Sequence, residues 1–412
     1  MKFIADLHIH SKYSRATSKD MELEGLSRWA KLKGIDLLAT GDFTHPFWFA
    51  ELKKKLKPAE EGFFEYNGVH FILSAEISSI YSKNGRTRKI HNLVYAPSFE
   101  IVEKLNRELG KIGNLTSDGR PILGLDSEKL ADIVYNVSNY CVIIPAHAWT
   151  PWFSIFGSNS GFDSIEECFG KYTKYIFAIE TGLSSDPAMN WRLSKLDNIS
   201  LISGSDAHSP QKLGREVCVF DTEMNYKSMF GAIRRRDKSK FLLTVEFFPE
   251  EGKYHFDGHR NCKVRWSPSE TLKHNGHCQV CLKLVTVGVM NRVDKLADRE
   301  DGFRPENSIP FRNLIPLAEI IAEAKGVGVG TKGVEAEYMK VVHRFGSEFK
   351  VLLDAPENEL RESLDPRVAE GVICVGQGKV SIAPGFDGEY GTIKIFGQQE
   401  EITSPQEQIG LF

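Results

Sequence analysis

Residues 6–10 read Asp-Leu-His-Ile-His, inside the opening run MKFIADLHIHSKYS (residues 1–14). Strand-forming residues end there in two histidines separated by one apolar residue. Alternation along an extended chain places His8 and His10 on the same side, with Asp6 pointing the same way. Two imidazoles on one face can grip a metal ion. Taken alone, the pattern is better read as an edge strand with solvated polar residues on one face. Recurrence decides between them. Up to about residue 245, short apolar runs alternate with helical patterns such as MELEGLSRWAKLKG: IDLLATGD, HFILSAEIS, HNLVYAP, YCVIIPAHA, YIFAIETG and ISLISGSDAH follow the first strand. Such an order predicts an α/β fold whose strands have the buried character of a parallel sheet or barrel. Chemistry on a β/α barrel sits at the C-terminal ends of its strands.

Those ends supply His8, His10, Asp42, Glu76, His91, His147, Asp206 and His208. One histidine at a strand exit is commonly a core or capping residue; eight ligand-type residues at successive exits of one barrel predict a metal cluster. Histidine mixed with carboxylate suits zinc, manganese or iron, whereas an all-oxygen set would suggest magnesium or calcium. A coordinated water then has its pKa lowered toward neutrality while the cations neutralise phosphate charge, so the expected reaction is phosphoester hydrolysis, with amide hydrolysis the lesser alternative.

Composition bounds the remainder. The chain has 412 residues, 41% hydrophobic and 26% charged, with a formal net charge of −3; these values fit a globular protein and give no global polyanion signal. The sequence has no uninterrupted apolar stretch of membrane-spanning length, and MKFIADLH carries charge where a signal peptide needs its apolar segment, so a cytoplasmic protein without membrane contact is expected. Seven cysteines, an odd number, do not suggest a disulfide framework. Cys141 and Cys168 read as buried small hydrophobes. His259-x2-Cys262 is followed after 15 residues by Cys278-x2-Cys281 in a charged, loop-rich stretch, the spacing of a closed structural zinc site, with His255, His274 and His277 as alternative histidine ligands. The expected domains are a barrel over 1–245, a zinc-binding segment over 246–310, a mainly helical domain over 311–396 and a polar tail over 397–412.

The ordered set H-x-H, GD, E, H, H and D-x-H resembles the polymerase and histidinol phosphatase (PHP) superfamily of metal-dependent phosphoesterases, over roughly residues 1–240. The resemblance implies a distorted (β/α)7 barrel holding two or three divalent catalytic ions: zinc, manganese or magnesium. It assigns His8, His10, Glu76 and Asp206 to one ion, with Glu76 bridging to a second held by His91 and His147. Asp42 and His208 would belong to a third. The family often has histidine in place of Asp42, and a histidine or aspartate near Arg15 or Ala16, so His45 or Asp20 could take part instead.

The whole-chain combination, a PHP barrel running into DGHRNC…CQVC, LVTVGVMNRVDKLADRE and a helical segment, resembles the endonuclease Q family. That resemblance implies a DNA repair enzyme nicking 5′ of uracil, hypoxanthine, xanthine or an abasic site. A small-molecule phosphatase of the histidinol-phosphatase type is the alternative, and a noncatalytic PHP module is a third reading that the retained ligands disfavour. Candidate DNA contacts are Lys12 and Tyr13 beyond His10, the basic run Arg86, Arg88 and Lys89 leading into His91, and Trp149 and Trp152 in the aromatic loop after His147. The tail SPQEQIGLF presents Gln406, Ile409 and Phe412 at the spacing of peptides that bind the sliding clamp, proliferating cell nuclear antigen, making the clamp an expected partner beside damaged DNA.

Overall fold

A computed structural model describes residues 1–397. Its first strand, Lys2–Asp6, pairs in parallel with Leu37–Ala39, which pairs in parallel with the long strand Val69–Lys83. Val69–Lys83 then turns back through Asn84 and Gly85, both in the left-handed region (φ 55° and 71°), into Arg86–Ala96. An Asn-Gly pair with φ positive at both residues matches the twist of an antiparallel hairpin. The runs HFILSAEIS and HNLVYAP are therefore the two arms of one hairpin, in register from Leu73↔Ala96 to Lys83↔Arg86. This hairpin is where the barrel departs from β/α alternation.

The wall continues through Val142–Pro145, antiparallel to Arg86–Ala96. The parallel pair Ala178–Glu180 and Ser200–Ile202 follows. Backbone bonds close the circle: Ala148 N donates to Glu180 O (2.9 Å), Asp206 N to His8 O (2.7 Å) and His10 N to Ala207 O (3.1 Å). The exit of the last strand is thereby tied to the exit of the first. Buried apolar residues such as Leu7, Ile9, Leu38, Phe71, Ile77, Ile144 and Ile202 fill the space beneath.

Three further strands extend the sheet from Lys2–Asp6: Val217–Asp221 and Phe241–Glu246, each antiparallel to its predecessor, then Phe311–Asn313, parallel to Phe241–Glu246. Phe311–Asn313 opens the segment expected to be helical; the helices Leu317–Lys325, Lys332–Phe345, Glu357–Ser363 and Pro366–Gly376 follow it. They dock on the barrel helix Leu23–Lys33 through a buried Lys33–Glu348 ion pair (2.7 Å), with Tyr338 Oη donating to the same Glu348 carboxylate (2.7 Å). The strands Ser381–Ala383 and Thr392–Lys394 flank a loop that returns to the cysteine-rich segment, where Phe256 N donates to Gly385 O and Arg260 N to Asp387. No helix among the described residues is long and apolar enough to cross a membrane.

Candidate active site and metal centres

Glu76 lies midway along Val69–Lys83 and is 2% exposed, at the centre of the barrel mouth. Its Oε1 is 2.8 Å from His91 Nδ1, 3.0 Å from His147 Nε2 and 3.8 Å from His8 Nε2. Its Oε2 is 3.4 Å from His10 Nε2. Asp206 Oδ1 is 3.0 Å from His10 Nε2 and 3.7 Å from His8 Nε2. The side chains form three overlapping groups whose ligand atoms lie within 4.8 Å of one another: His8, His10 and Glu76; His10, Asp206 and His208; Glu76, His91 and His147. Glu76 and His10 are each shared by two groups.

Neighbouring carboxylates set the tautomers. His8 Nδ1 donates to Glu180 (2.9 Å), which also accepts the backbone N–H of His147 (2.7 Å). His10 Nδ1 donates to Asp42 Oδ1 (3.2 Å). Each ring is left with Nε2 facing the cluster, the orientation that a carboxylate behind a ligating histidine imposes. His8 Nε2, His10 Nε2 and Asp206 Oδ1 are buried without a hydrogen-bond partner. Two imidazole nitrogens and a carboxylate oxygen facing one buried space fit a site built for cations.

The field agrees. Burial alone would push the Glu76 carboxyl up, but His91, His147 and His8 outweigh it and hold the pKa well below the usual range. Burial opposes charging His8, yet Glu180, Asp206 and Glu76 raise its pKa to about 9. At His91 burial wins and the pKa falls to about 4. Asp206 and His147 adopt positive φ (47° and 30°), as does Asp42 (50°). Sparsely populated backbone conformations of this kind cluster at ligand clamps, where surrounding structure over-determines them. Gly204 clears the space: a Cβ there would stand 2.7 Å from His8 Cβ and 2.7 Å from Glu180 Oε1.

Asp42 does not join the ligand groups. It lies behind His10, its Oδ2 accepting from Ser11 N (2.7 Å), Ser11 Oγ (2.6 Å) and Ser14 Oγ (2.8 Å), so it orients His10 instead of facing the mouth. The third group uses His10 in its place. His45 is stacked on Tyr13 (4.4 Å) and Asp20 is exposed; neither belongs to a group. Two residues were missed. Glu180 ends the strand Ala178–Glu180, so AIETG carried the same strand-exit signal as the others. Arg120, whose Nη1 is 3.1 Å from Glu76 Oε2, comes from the polar loop SDGRP and had no signal.

The expected DNA contacts separate into two kinds. Trp149 is corrected: it is 1% exposed, donates Nε1 to Asn190 Oδ1 (2.8 Å) and packs on Phe156, so it is core. Arg88 lies over the Phe162 ring (4.1 Å) and donates to Gly161 O, and Lys12 is paired with Glu22 (2.8 Å) and Glu51 (3.1 Å). Trp152, by contrast, is 52% exposed, with Lys89 Nζ 5.2 Å above its ring and 5.3 Å from Phe153, which itself lies against His91 (4.7 Å). Arg86 is exposed at the hairpin turn.

In the second histidine-rich region, His259, Cys262, Cys278 and Cys281 bring four ligand atoms within 4.8 Å. Two short turns do this, with Lys263 and Leu282 in the left-handed region immediately after Cys262 and Cys281. Cys278 N donates to Lys283 O (2.8 Å) and Leu282 N to Cys278 O (2.8 Å). His259 is the histidine of this group: His274 stacks on Trp266 (4.5 Å), His277 bonds Asn275 O (2.7 Å), and His255 is buried beside Phe256. The donor set fits a closed tetrahedral site. Gln406, Ile409 and Phe412 lie outside the described residues.

Comparison with known proteins agrees with this geometry. Residues 316–378 match a family model described as the MJ0043 C-terminal domain. The uncharacterized protein MJ0043 of Methanocaldococcus jannaschii is 33% identical over 306 residues, covering 69% of this chain and 37% of that protein; the chain thus spans about a third of that relative's length. The solved lesion-specific endonuclease PfuEndoQ of Pyrococcus furiosus is 34% identical, with a TM-score of 0.86 over 96% of this chain and 95% of that one. An endonuclease Q solved with a 27-mer duplex, carrying an abasic lesion at its active site, is 33% identical, with a TM-score of 0.84 over 98% of this chain and 100% of that one. Identity at this level over nearly the whole of both solved chains establishes the chain as a member of the endonuclease Q family, metal-dependent hydrolases that act on DNA.

Proposed function

We propose that this protein is a DNA repair endonuclease that hydrolyses the phosphodiester on the 5′ side of a deaminated base (uracil, hypoxanthine or xanthine) or an abasic site. The observation that carries the reading is the convergence of His8, His10, Glu76, His91, His147, Asp206 and His208 on one mouth, in a chain alignable end to end with an endonuclease solved on lesion-containing duplex. Divalent cations held there would lower the pKa of water toward neutrality and neutralise charge on the phosphate. The chain's own residues fix the site. Glu180 orients His8 and pins the backbone at His147; Asp42 orients His10; Glu76 ties the groups together. His208 donates Nδ1–H to Asp206 O (2.9 Å), leaving Nε2 as its basic atom on a partly exposed side chain. Lys89 and Trp152 offer a cation and a ring face at the rim, suited to a phosphate and an unstacked base. Extruding the damaged nucleotide is easiest where its pairing is already weak.

The Cys3His group is proposed to hold one structural zinc, and the tail carrying Gln406, Ile409 and Phe412 to engage the sliding clamp. A fluorescent oligonucleotide with one deoxyuridine, incubated with the protein and manganese or magnesium, tests the main reading. A single nick 5′ of the deoxyuridine is expected, with mismatched uracil cut at least as well as uracil opposite adenine. Equal cutting of undamaged duplex, or no cutting beside release of phosphate from small esters, would overturn it.

A further inference from the structure

Among the described residues, the guanidinium groups of Arg215 and Arg120 approach the cluster, and they are used differently. Arg215 commits Nε to Ser205 O (2.7 Å) and Nη2 to Asp206 O (3.2 Å), bracing the strand exit. Arg120 gives one N–H of Nη1 to Glu76 Oε2 (3.1 Å), and among the described residues its side chain makes no other hydrogen bond. Its side chain is 26% exposed, as is that of Asp206, whereas Glu76 beneath is 1% exposed. Arg120 therefore spans from the buried carboxylate to the open mouth.

The loop that carries it is fastened to the ligand scaffold. Asp118 Oδ1 accepts from Arg120 N (3.1 Å) and Arg15 N (3.4 Å). Gly119 N donates to Tyr13 O (3.0 Å), and Thr44 Oγ1 donates to Gly119 O (3.2 Å). A Cβ at Gly119 would stand 2.3 Å from Asp42 Oδ2, so only glycine lets the loop lie this close to the carboxylate behind His10. Guanidinium is always charged and offers five N–H donors in a planar fork matched to phosphate oxygens.

We propose that Arg120 is a catalytic residue, holding Glu76 with one N–H and binding a non-bridging oxygen of the scissile phosphodiester with the others. The assignment rests on the phosphodiester-hydrolysis reading of the cluster. As the water oxygen bonds to phosphorus, the bond from phosphorus to the bridging oxygen breaks, and one water proton ends on the leaving oxygen. Negative charge on the non-bridging oxygens is greatest in between, which is where a fixed donor aimed at them accelerates the step.

The test compares wild type with Arg120→Ala and Arg120→Lys, measuring bound metal, kcat and KM on the deoxyuridine oligonucleotide and on bis(p-nitrophenyl) phosphate with manganese. Arg120→Ala is expected to lose about 10²-fold in kcat on both substrates, with metal content and KM little changed; Arg120→Lys, keeping the charge without the fork, recovers part of it. Loss of metal in step with activity would make Arg120 a tether for Glu76 and overturn the proposal, as would wild-type turnover by Arg120→Ala. If wild type hydrolyses only the small ester and Arg120→Ala abolishes that, the DNA reading fails and the arginine assignment stands. A wild type inert on both overturns the two together.

Discussion

The barrel mouth and the cysteine-rich knuckle use histidine in opposite ways. At the mouth, three ligand groups share His10 and Glu76, and the outer members are open: the side chains of Asp206 and His208 are 26% and 32% exposed. In the knuckle, four ligands belong to one group, three of them thiols, and Cys278 is fully buried. A site with carboxylates and open sides can admit water and substrate; one closed by four protein ligands can only hold its ion and the turns around it. On the proposed reading, the same residue type would serve chemistry in one region and folding in the other, according to what its neighbours leave open.

The comparison breaks first at the mouth. His8→Ala and Asp206→Asn should each drop nicking to background while circular dichroism and melting stay near wild type, because each removes a ligand and neither belongs to the apolar core. Near-normal turnover by either, with metal content measured, would remove the cluster from the mechanism. A smaller loss, roughly 10–100-fold in metal affinity or activity, is expected of Glu180→Gln and Asp42→Asn, which act through His8 and His10; loss as complete as for His8→Ala would show them to be ligands after all. Cys278→Ser should move the other axis, lowering Tm by several degrees and weakening DNA binding, while turnover of bis(p-nitrophenyl) phosphate falls severalfold at most. The smallest effect belongs to Trp152→Ala, expected to weaken lesion-strand binding by about 1–3 kcal/mol without changing Tm. Trp149→Ala is its control: truncation of that buried ring should cost about 3–5 kcal/mol of stability.

Most of the site was legible because strand exits repeat. An apolar run ending in a histidine or carboxylate is a local pattern, and seven of the eight residues found that way meet at the mouth. The eighth, Asp42, is legible as a buried acid, but whether a carboxylate faces an ion or backs a histidine depends on the loop that reaches it; Ser11, Ser14 and Gly119 decide that here. Arg120 was illegible for the same reason, since only tertiary closure brings residue 120 beside residue 76. Trp149 and Trp152 are three residues apart with the same aromatic character, yet Trp149 is buried, bonded to Asn190 and packed on Phe156, while Trp152 stands at the rim. The Asn84-Gly85 turn was readable in the sequence and would have joined the two long strands into one hairpin.

The most direct measurement is a chelator titration of one sample, following nicking 5′ of a single deoxyuridine, bound zinc and Tm together. Ions at the open mouth should leave first, so that nicking is lost at full Tm with one zinc per chain retained, is restored by added manganese, and melting shifts only when the last zinc is stripped. Nicking and Tm falling together, or nicking that persists after every exchangeable ion has gone, would contradict the division of labour between the two sites.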